Sequence, residues 1–155
     1  MEQELRGRFQ IKMDAKGRMN LPAALSEVSE NSSFVVTNSQ YQGCRCLDVY
    51  TKEEWDKLDA RIAQLSPLKK EVQAFQRFYI AGGLPVEAGS QGRMLIPKSL
   101  REYANLEDQI VIVGMGSKLE IWNLSDWQKI FDNLATQFED TLSVIANLDM
   151  GVGHA

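Results

Sequence analysis

The feature that most constrains this chain is that it repeats itself. Met13-Asp14-Ala15-Lys16-Gly17-Arg18-Met19-Asn20-Leu21-Pro22-Ala23-Ala24-Leu25 aligns with Ala88-Gly89-Ser90-Gln91-Gly92-Arg93-Met94-Leu95-Ile96-Pro97-Lys98-Ser99-Leu100. Identities fall at Gly17/Gly92, Arg18/Arg93, Met19/Met94, Pro22/Pro97 and Leu25/Leu100. Further along, Phe34-Val35-Val36-Thr37 matches Ile110-Val111-Ile112-Val113, and Leu47-Asp48-Val49-Tyr50 matches Leu119-Glu120-Ile121-Trp122. A tryptophan then opens a helix in each copy, Trp55 and Trp127. Self-similarity over so many matched elements means two copies of one supersecondary unit.

Each copy reads as β-β-α-β-β. A strand (Gly7 to Met13, then Val86 and its neighbours) meets a tight turn at Lys16-Gly17 or Gln91-Gly92, where glycine supplies the positive φ of a hairpin. A short strand follows, and Pro22 or Pro97 ends it and opens a helical turn. Two β-branched runs then form a second hairpin, Phe34–Thr37 with Leu47–Tyr50 and Ile110–Val113 with Leu119–Trp122. Asn38–Arg45 reads as the longer loop of the first, and Gly114-Met115-Gly116 as the turn of the second. A module this small cannot hold a secure core alone, so the two must bury their apolar faces on each other as an interlocked barrel.

The flanking helices are marked by their caps. Thr51-Lys52-Glu53-Glu54 is a capping box for a helix to about Gln64. Ser66-Pro67 reads as the cap and first position of a second helix, which Gly82-Gly83 stops. Ser125 reads as the cap of a last helix with an apolar line of Trp127, Phe131, Leu134, Phe138, Leu142 and Ile145, a pattern more often packed on its own core than on a partner. Residues 5–65 are thus a first module with its following helix, 66–82 a linking helix, 83–147 a second module with the C-terminal helix, and 148–155 a flexible tail.

The net charge of −4 argues against a polyanionic partner only until its distribution is considered. Between Arg6 and Arg18 stand five cations, Arg6, Arg8, Lys12, Lys16 and Arg18, against the single carboxylate of Asp14. From Glu120 onward six carboxylates face one lysine. Strand alternation puts Arg8, Gln10 and Lys12 on one face, joined by Arg6, and sends Phe9, Ile11 and Met13 into the core. Arginine presents a flat fork of donors that fits guanine or phosphate. Asp14, across the turn from Arg18, is placed to hold that fork in one orientation, while Lys16 at the tip suits phosphate as a point charge. The competing reading is an ordinary hairpin salt bridge on a solvated basic face.

Other classes find less support. His154 is the only histidine and sits in a Gly-rich tail, and no Ser-His-Asp set, phosphate loop or metal-ligand cluster is apparent. Cys44 and Cys46 are too close in sequence for an unstrained disulfide and too few for structural zinc, and read as reduced thiols on one strand face. No run is long and apolar enough to span a bilayer, and the acidic start Met1-Glu2-Gln3-Glu4 is unlike a secretory signal, which points to the cytoplasm.

The Asp-x-Lys-Gly-Arg pattern with its proline, its second copy at Gly89–Pro97, the preceding Arg6-Gly7 and the Glu120-Ile121-Trp122 segment closely resemble the MraZ family, over the span from about Leu5 to Phe138. The resemblance implies an α+β fold of two tandem AbrB-like (SpoVT-AbrB) β-β-α-β-β modules, forming a double-psi or swapped-hairpin type of barrel with flanking helices. It implies a cytoplasmic, nucleoid-associated, non-enzymatic regulator of the division and cell-wall gene cluster. Such a regulator is a homo-oligomeric ring that binds direct repeats of double-stranded DNA in its own promoter, without metal, cofactor, membrane or small-molecule substrate. Family signature positions fall on Asp14 and Arg18 in the first module. In the second, Arg93 is kept but Gly89 replaces the aspartate, which puts the second turn's geometry in question. The expected DNA-binding residues are Arg18, Lys16, Arg8, Arg6, Lys12 and Arg93, with Asp14, Gly17 and Gly92 orienting them; for Arg93 a subunit interface is the alternative to a DNA contact. AbrB-like modules also serve in antitoxins, so an interaction module with an acidic C-terminal helix is the alternative.

Overall fold

The computed structural model of the chain describes residues 5–25 and 32–153. It is a mixed α+β structure whose strands are all antiparallel. In chain order they are β1 (Leu5–Lys12), β2 (Arg18–Asn20), β3 (Ser33–Tyr41), β4 (Cys44–Thr51), β5 (Leu84–Glu87), β6 (Arg93–Leu95), β7 (Gln109–Gly116) and β8 (Leu119–Asn123). The helices are α1 (Lys52–Ala63), α2 (Lys70–Phe75), α3 (Lys98–Tyr103), α4 (Leu124–Thr136) and α5 (Phe138–Gly153), with a wider π-helical turn over Gln76–Ile80. Six strands form a sheet in the order β1-β7-β8-β4-β3-β5, and β2 and β6 form a separate two-stranded ribbon. Among the described residues no closed barrel is found.

The two halves exchange strands. β1 does not fold back on β2: it pairs with β7, from Leu5 opposite Gly116 to Lys12 opposite Gln109. In the same way β5 pairs with β3, and β2 with β6. The second hairpin of each module forms as read, β3 with β4 and β7 with β8, and β4 meets β8 at the centre of the sheet. The order is therefore near two-fold symmetric about the β4–β8 seam. The expected β1–β2 and β5–β6 hairpins are replaced by partners from the opposite module. The turns still reverse the chain, but deliver each short strand to the ribbon.

The central strands β3, β4, β7 and β8 are buried on both faces over most of their length and read as nearly continuous apolar runs, whereas the edge strands β1 and β5 keep exposed residues. One face carries the main core, with Val36, Leu47, Val49, Ile110, Ile112, Leu119 and Ile121 all wholly buried beside Met19, Met94 and Leu100. Each such side chain contributes roughly 1.5–3 kcal/mol of transfer free energy. The alternation read in β1 holds: Phe9 and Ile11 pack on this core and Met13 is buried in it. Val35 and Tyr50 on the other face pack with Trp55 of α1 and Tyr79 of the π-helical turn.

Local signals explain the boundaries. The Thr51 hydroxyl accepts the Glu54 N–H at 3.1 Å and caps α1 as expected. The linking helix begins later than its proline suggested: Ser66 and Pro67 lie in a turn, and α2 starts after Lys69, whose backbone is extended. Asn38–Arg45 is not a loop, because β3 and β4 run on to a two-residue turn at Gln42-Gly43, both with positive φ. Gly114, Met115 and Gly116 likewise belong to β7, which turns at Ser117-Lys118.

The segment from Ser125 onward is a unit of its own. Its single expected helix is divided at Gln137, where the Thr136 hydroxyl donates back to the Asp132 carbonyl at 2.9 Å, a bond that bends helices. α4 begins at Leu124 rather than after Ser125, and α5 runs to Gly153, past the position 148 where a tail was expected. Most of the apolar line is exposed rather than packed on a core of its own: Phe138, Leu142, Ile145 and Leu148 are each more than half exposed. His154 lies outside the described residues.

Candidate nucleic-acid interface

The strand exchange decides where the repeated arginines go. In the β2–β6 ribbon Arg18 lies opposite Leu95, Met19 opposite Met94, and Asn20 opposite Arg93. Met19 and Met94 point inward and are buried, so Arg18, Asn20, Arg93 and Leu95 share the exposed face. Two arginines that are 75 residues apart in the repeat thus stand on one small surface. The Arg93 Nε donates to the Asn20 side-chain oxygen at 3.4 Å, tying the two strands across the face.

The two turns leading into the ribbon close alike. The Asp14 N–H bonds the Arg18 carbonyl at 3.0 Å and the Gly17 N–H bonds the Asp14 carbonyl at 3.0 Å; the corresponding bonds from Gly89 and Gly92 are 2.8 and 3.2 Å. The loss of the aspartate therefore leaves the backbone closure of the second turn intact. The second turn differs at Gln91, which is left-handed at φ 61°, a conformation that disfavours any residue with a Cβ. Each ribbon strand is also anchored on the opposite turn, by the Ile96 N–H to the Gly17 carbonyl and the Leu21 N–H to the Gly92 carbonyl.

The side-chain chemistry differs more. One Asp14 oxygen accepts the N–H groups of both Lys16 and Arg18 at 2.9 Å, and the other accepts the Arg18 Nε at 2.7 Å. The backbone N–H of Arg18, then its guanidinium, hold the Asp14 carboxyl down at about 2. Asp14 is thus ionised and committed to Arg18 over the whole physiological range. With Nε engaged, the outer edge of the guanidinium remains presented to solvent, and Arg18 is about half exposed.

An open cleft of about 640 Å³ lies beside the ribbon, lined by Lys12, Asp14, Arg18, Asn20, Arg93 and Asp108 among others. The structure therefore gathers Lys12, Arg18 and Arg93 with Asp14. Lys16 is exposed at the turn. Arg6 and Arg8 are also exposed but lie further back along β1 and do not line the cleft. Gly17, at φ 91°, is packed against Arg101 of α3, so a Cβ there would collide with that side chain. Arg101 donates through Nε to the Ile96 carbonyl at 2.9 Å and through a terminal nitrogen to the Ala15 carbonyl at 3.3 Å, bracing the first turn from the second module. Sequence reasoning missed Arg101 because nothing local links it to the turn. It also passed over Asn20 and Leu95, although both stand two residues from an arginine on the same strand face.

A second polar cluster lies at the centre of the sheet and is of another kind. The repeat-equivalent carboxylates of Asp48 and Glu120 are direct cross-strand partners. Asp48 is wholly buried, paired to the Lys118 ammonium at 3.0 Å, and accepts from the Tyr79 hydroxyl. Burial raises the Glu120 carboxyl above the usual range, and burial also raises the thiol of Cys46, which lies beside them. Lys118 already supplies the positive charge, and the raised thiol keeps its proton, so the cluster reads as a buried ion-pair network. Cys44 and Cys46 are both free thiols.

The family model described as "MraZ protein, putative antitoxin-like" matches residues 5–78 and again 81–144. The chain belongs to the MraZ family. Among curated relatives, the transcriptional regulator MraZ of Heliobacterium modesticaldum is 38% identical over 144 residues, which is 93% of this chain and 98% of that protein. The protein of that name from Thermoanaerobacter sp. (strain X514) is 35% identical, covering 94% and 99%. That from Acetivibrio thermocellus is 40% identical over 122 residues, covering 79% and 82%. Membership of MraZ places the chain among transcriptional regulators and not among enzymes. Among the described residues no helix is long and apolar enough to cross a membrane.

Proposed function

We propose that this MraZ protein regulates transcription by binding double-stranded DNA through the β2–β6 ribbon and its turns, at direct repeats in the promoter of its own division and cell-wall gene cluster. The carrying observation is the pair of repeat arginines on one exposed face, with Arg18 already held by Asp14 before any ligand arrives. A guanidinium oriented in advance loses less side-chain freedom on binding. Arg18 and Arg93 take the central contacts, Lys12 and Lys16 the flanking phosphates, and Arg6 and Arg8 extend the positive strip along β1. Gly17 and Gly92 shape the two turns.

One ribbon offers few contacts, and a ring of subunits engaging successive repeats raises avidity without any new contact. The exposed apolar line of α5 supports self-association, since monomers seldom leave such lines uncovered. Association with the nucleoid in the cytoplasm follows from the same DNA binding.

The test is a gel shift on the protein's own upstream region together with native mass measurement. Arg18→Ala should abolish specific binding and leave the oligomer intact. Unchanged promoter affinity would remove Arg18 from the site, and a monomeric native mass would remove the ring.

A further inference from the structure

The two arginines of the ribbon explain attraction to DNA, but not the other half of the exposed face. Leu95 is 55% exposed in the middle of a polar surface. A leucine gains nothing from a phosphate. Asn20 carries no charge, and its oxygen, already accepting from Arg93, retains a second lone pair while its amide group retains donors. These two side chains have the chemistry of base edges: an amide pairs with the acceptor and donor of adenine, and an apolar side chain meets the methyl group of thymine.

The spacing fits as well. Same-face neighbours on a strand are about 6.8 Å apart, close to two base-pair steps, and a two-stranded ribbon is of a width that the major groove admits. Met19 and Met94, buried beneath the face, anchor the ribbon on the core.

We infer that the exposed face of the β2–β6 ribbon reads base edges in the major groove, with Asn20 and Leu95 setting the sequence and polarity of the site. Arg18 and Arg93 take guanines, Asn20 takes an adenine and Leu95 packs on a thymine methyl. The inference rests on the DNA-binding reading above and deepens it. Polarity follows from symmetry. The strand exchange makes the ribbon nearly two-fold symmetric, and a symmetric reader selects a palindrome. Asn20 and Leu95 occupy equivalent positions in the two repeats, so their difference breaks that symmetry and gives the site a direction.

The experiment is selection from a randomised duplex library with the full-length protein and three variants, with melting temperature and native mass measured for each. The wild type should enrich a non-palindromic element containing guanines. Asn20→Ala should lose about tenfold of the preference at one adenine, and Leu95→Ala should lose the preference at one thymine, both with unchanged salt dependence. Leu95→Asn, which makes the face symmetric, should enrich a palindrome. Replacing that thymine by uracil in the selected duplex removes only the methyl group, and should weaken the wild-type protein but not Leu95→Ala. If both alanine variants select the wild-type element, the ribbon does not read bases and the inference is overturned, while DNA binding stands. If Leu95→Ala instead changes the native mass with no change in preference, Leu95 is a subunit contact and the inference fails there. If the wild type enriches nothing, the DNA-binding reading itself fails.

Discussion

The turn at Asp14–Arg18 and its repeat at Gly89–Arg93 share a backbone and differ in a lock. In both, a residue at the start of the turn bonds the arginine carbonyl, and a glycine bonds back to it. Only the first adds a carboxylate that gathers two N–H groups and a guanidinium. The second makes do with glycine at that place and holds Gln91 in a left-handed conformation. Backbone closure of the turn is thus separable from orientation of its arginine. The closure is satisfied in both copies, and orientation by a carboxylate only where Asp14 stands. Arg93 has the weaker restraint of Asn20 at 3.4 Å.

The sharpest way to break this comparison is to remove each arginine in turn. Arg18→Ala should reduce promoter affinity by at least about tenfold more than Arg93→Ala, because a held side chain spends less rotamer freedom on binding, and tenfold corresponds to about 1.4 kcal/mol. Equal losses in the same gel shift would mean that the lock is irrelevant to binding.

Asp14→Asn comes next. The amide oxygen still accepts the turn N–H groups, but the charged bond to Arg18 is lost, so affinity should fall several-fold with the fold unchanged by circular dichroism. The same lock has a pH signature. Because folding lowers the Asp14 carboxyl from 3.8 to about 2, its contribution to stability is present above the ordinary value and is lost as pH falls through about 2. Carbon-detected NMR titration of Asp14 should therefore show a midpoint near the lower figure; a midpoint at the ordinary value would show that the lock is open in solution.

Gly89→Asp should install the missing carboxylate. Gly89 has negative φ, and a Cβ there meets only the Arg93 carbonyl at 3.8 Å, an ordinary contact. Promoter affinity should rise a few-fold, read by titration against the wild type. A fall in affinity would show that the left-handed Gln91 makes the second turn unable to use an aspartate. The smallest effect is reserved for Lys16→Ala, which should flatten the slope of log affinity against log salt by about 0.9, one phosphate's worth. An unaltered slope would take Lys16 off the DNA.

How much of this was legible depended on the distance over which each signal acts. The second hairpins were readable because β-branched runs such as Val35-Val36 and Ile110–Val113 declare strands, and the Thr51 cap because it acts within one turn. The parity of β1 was readable too, since Phe9 and Ile11 face inward whichever strand lies alongside. For the same reason its partner was not readable: alternation says which face is apolar and nothing about the neighbour. Asn38–Arg45 looked like a loop because its residues are polar, yet they extend two strands to a turn that needs only Gln42-Gly43. The pairing of Asp48 with Lys118 and the bracing of the first turn by Arg101 are contacts between distant residues, visible only once the halves are interlocked.

The exchange of strands also bears on how the protein is made. Lys12 finds its place opposite Gln109, and Arg18 opposite Leu95, so the amino-terminal module leaves the ribosome with β1 and β2 unpaired and the outer edges of the β3–β4 hairpin open until the carboxy-terminal half follows. Such long-range closure is slow, and it exposes edges while it waits. It also has a use. A polypeptide cut short by premature termination carries half a ribbon and one arginine of the pair, so an unfinished chain lacks the two-arginine face proposed to meet DNA.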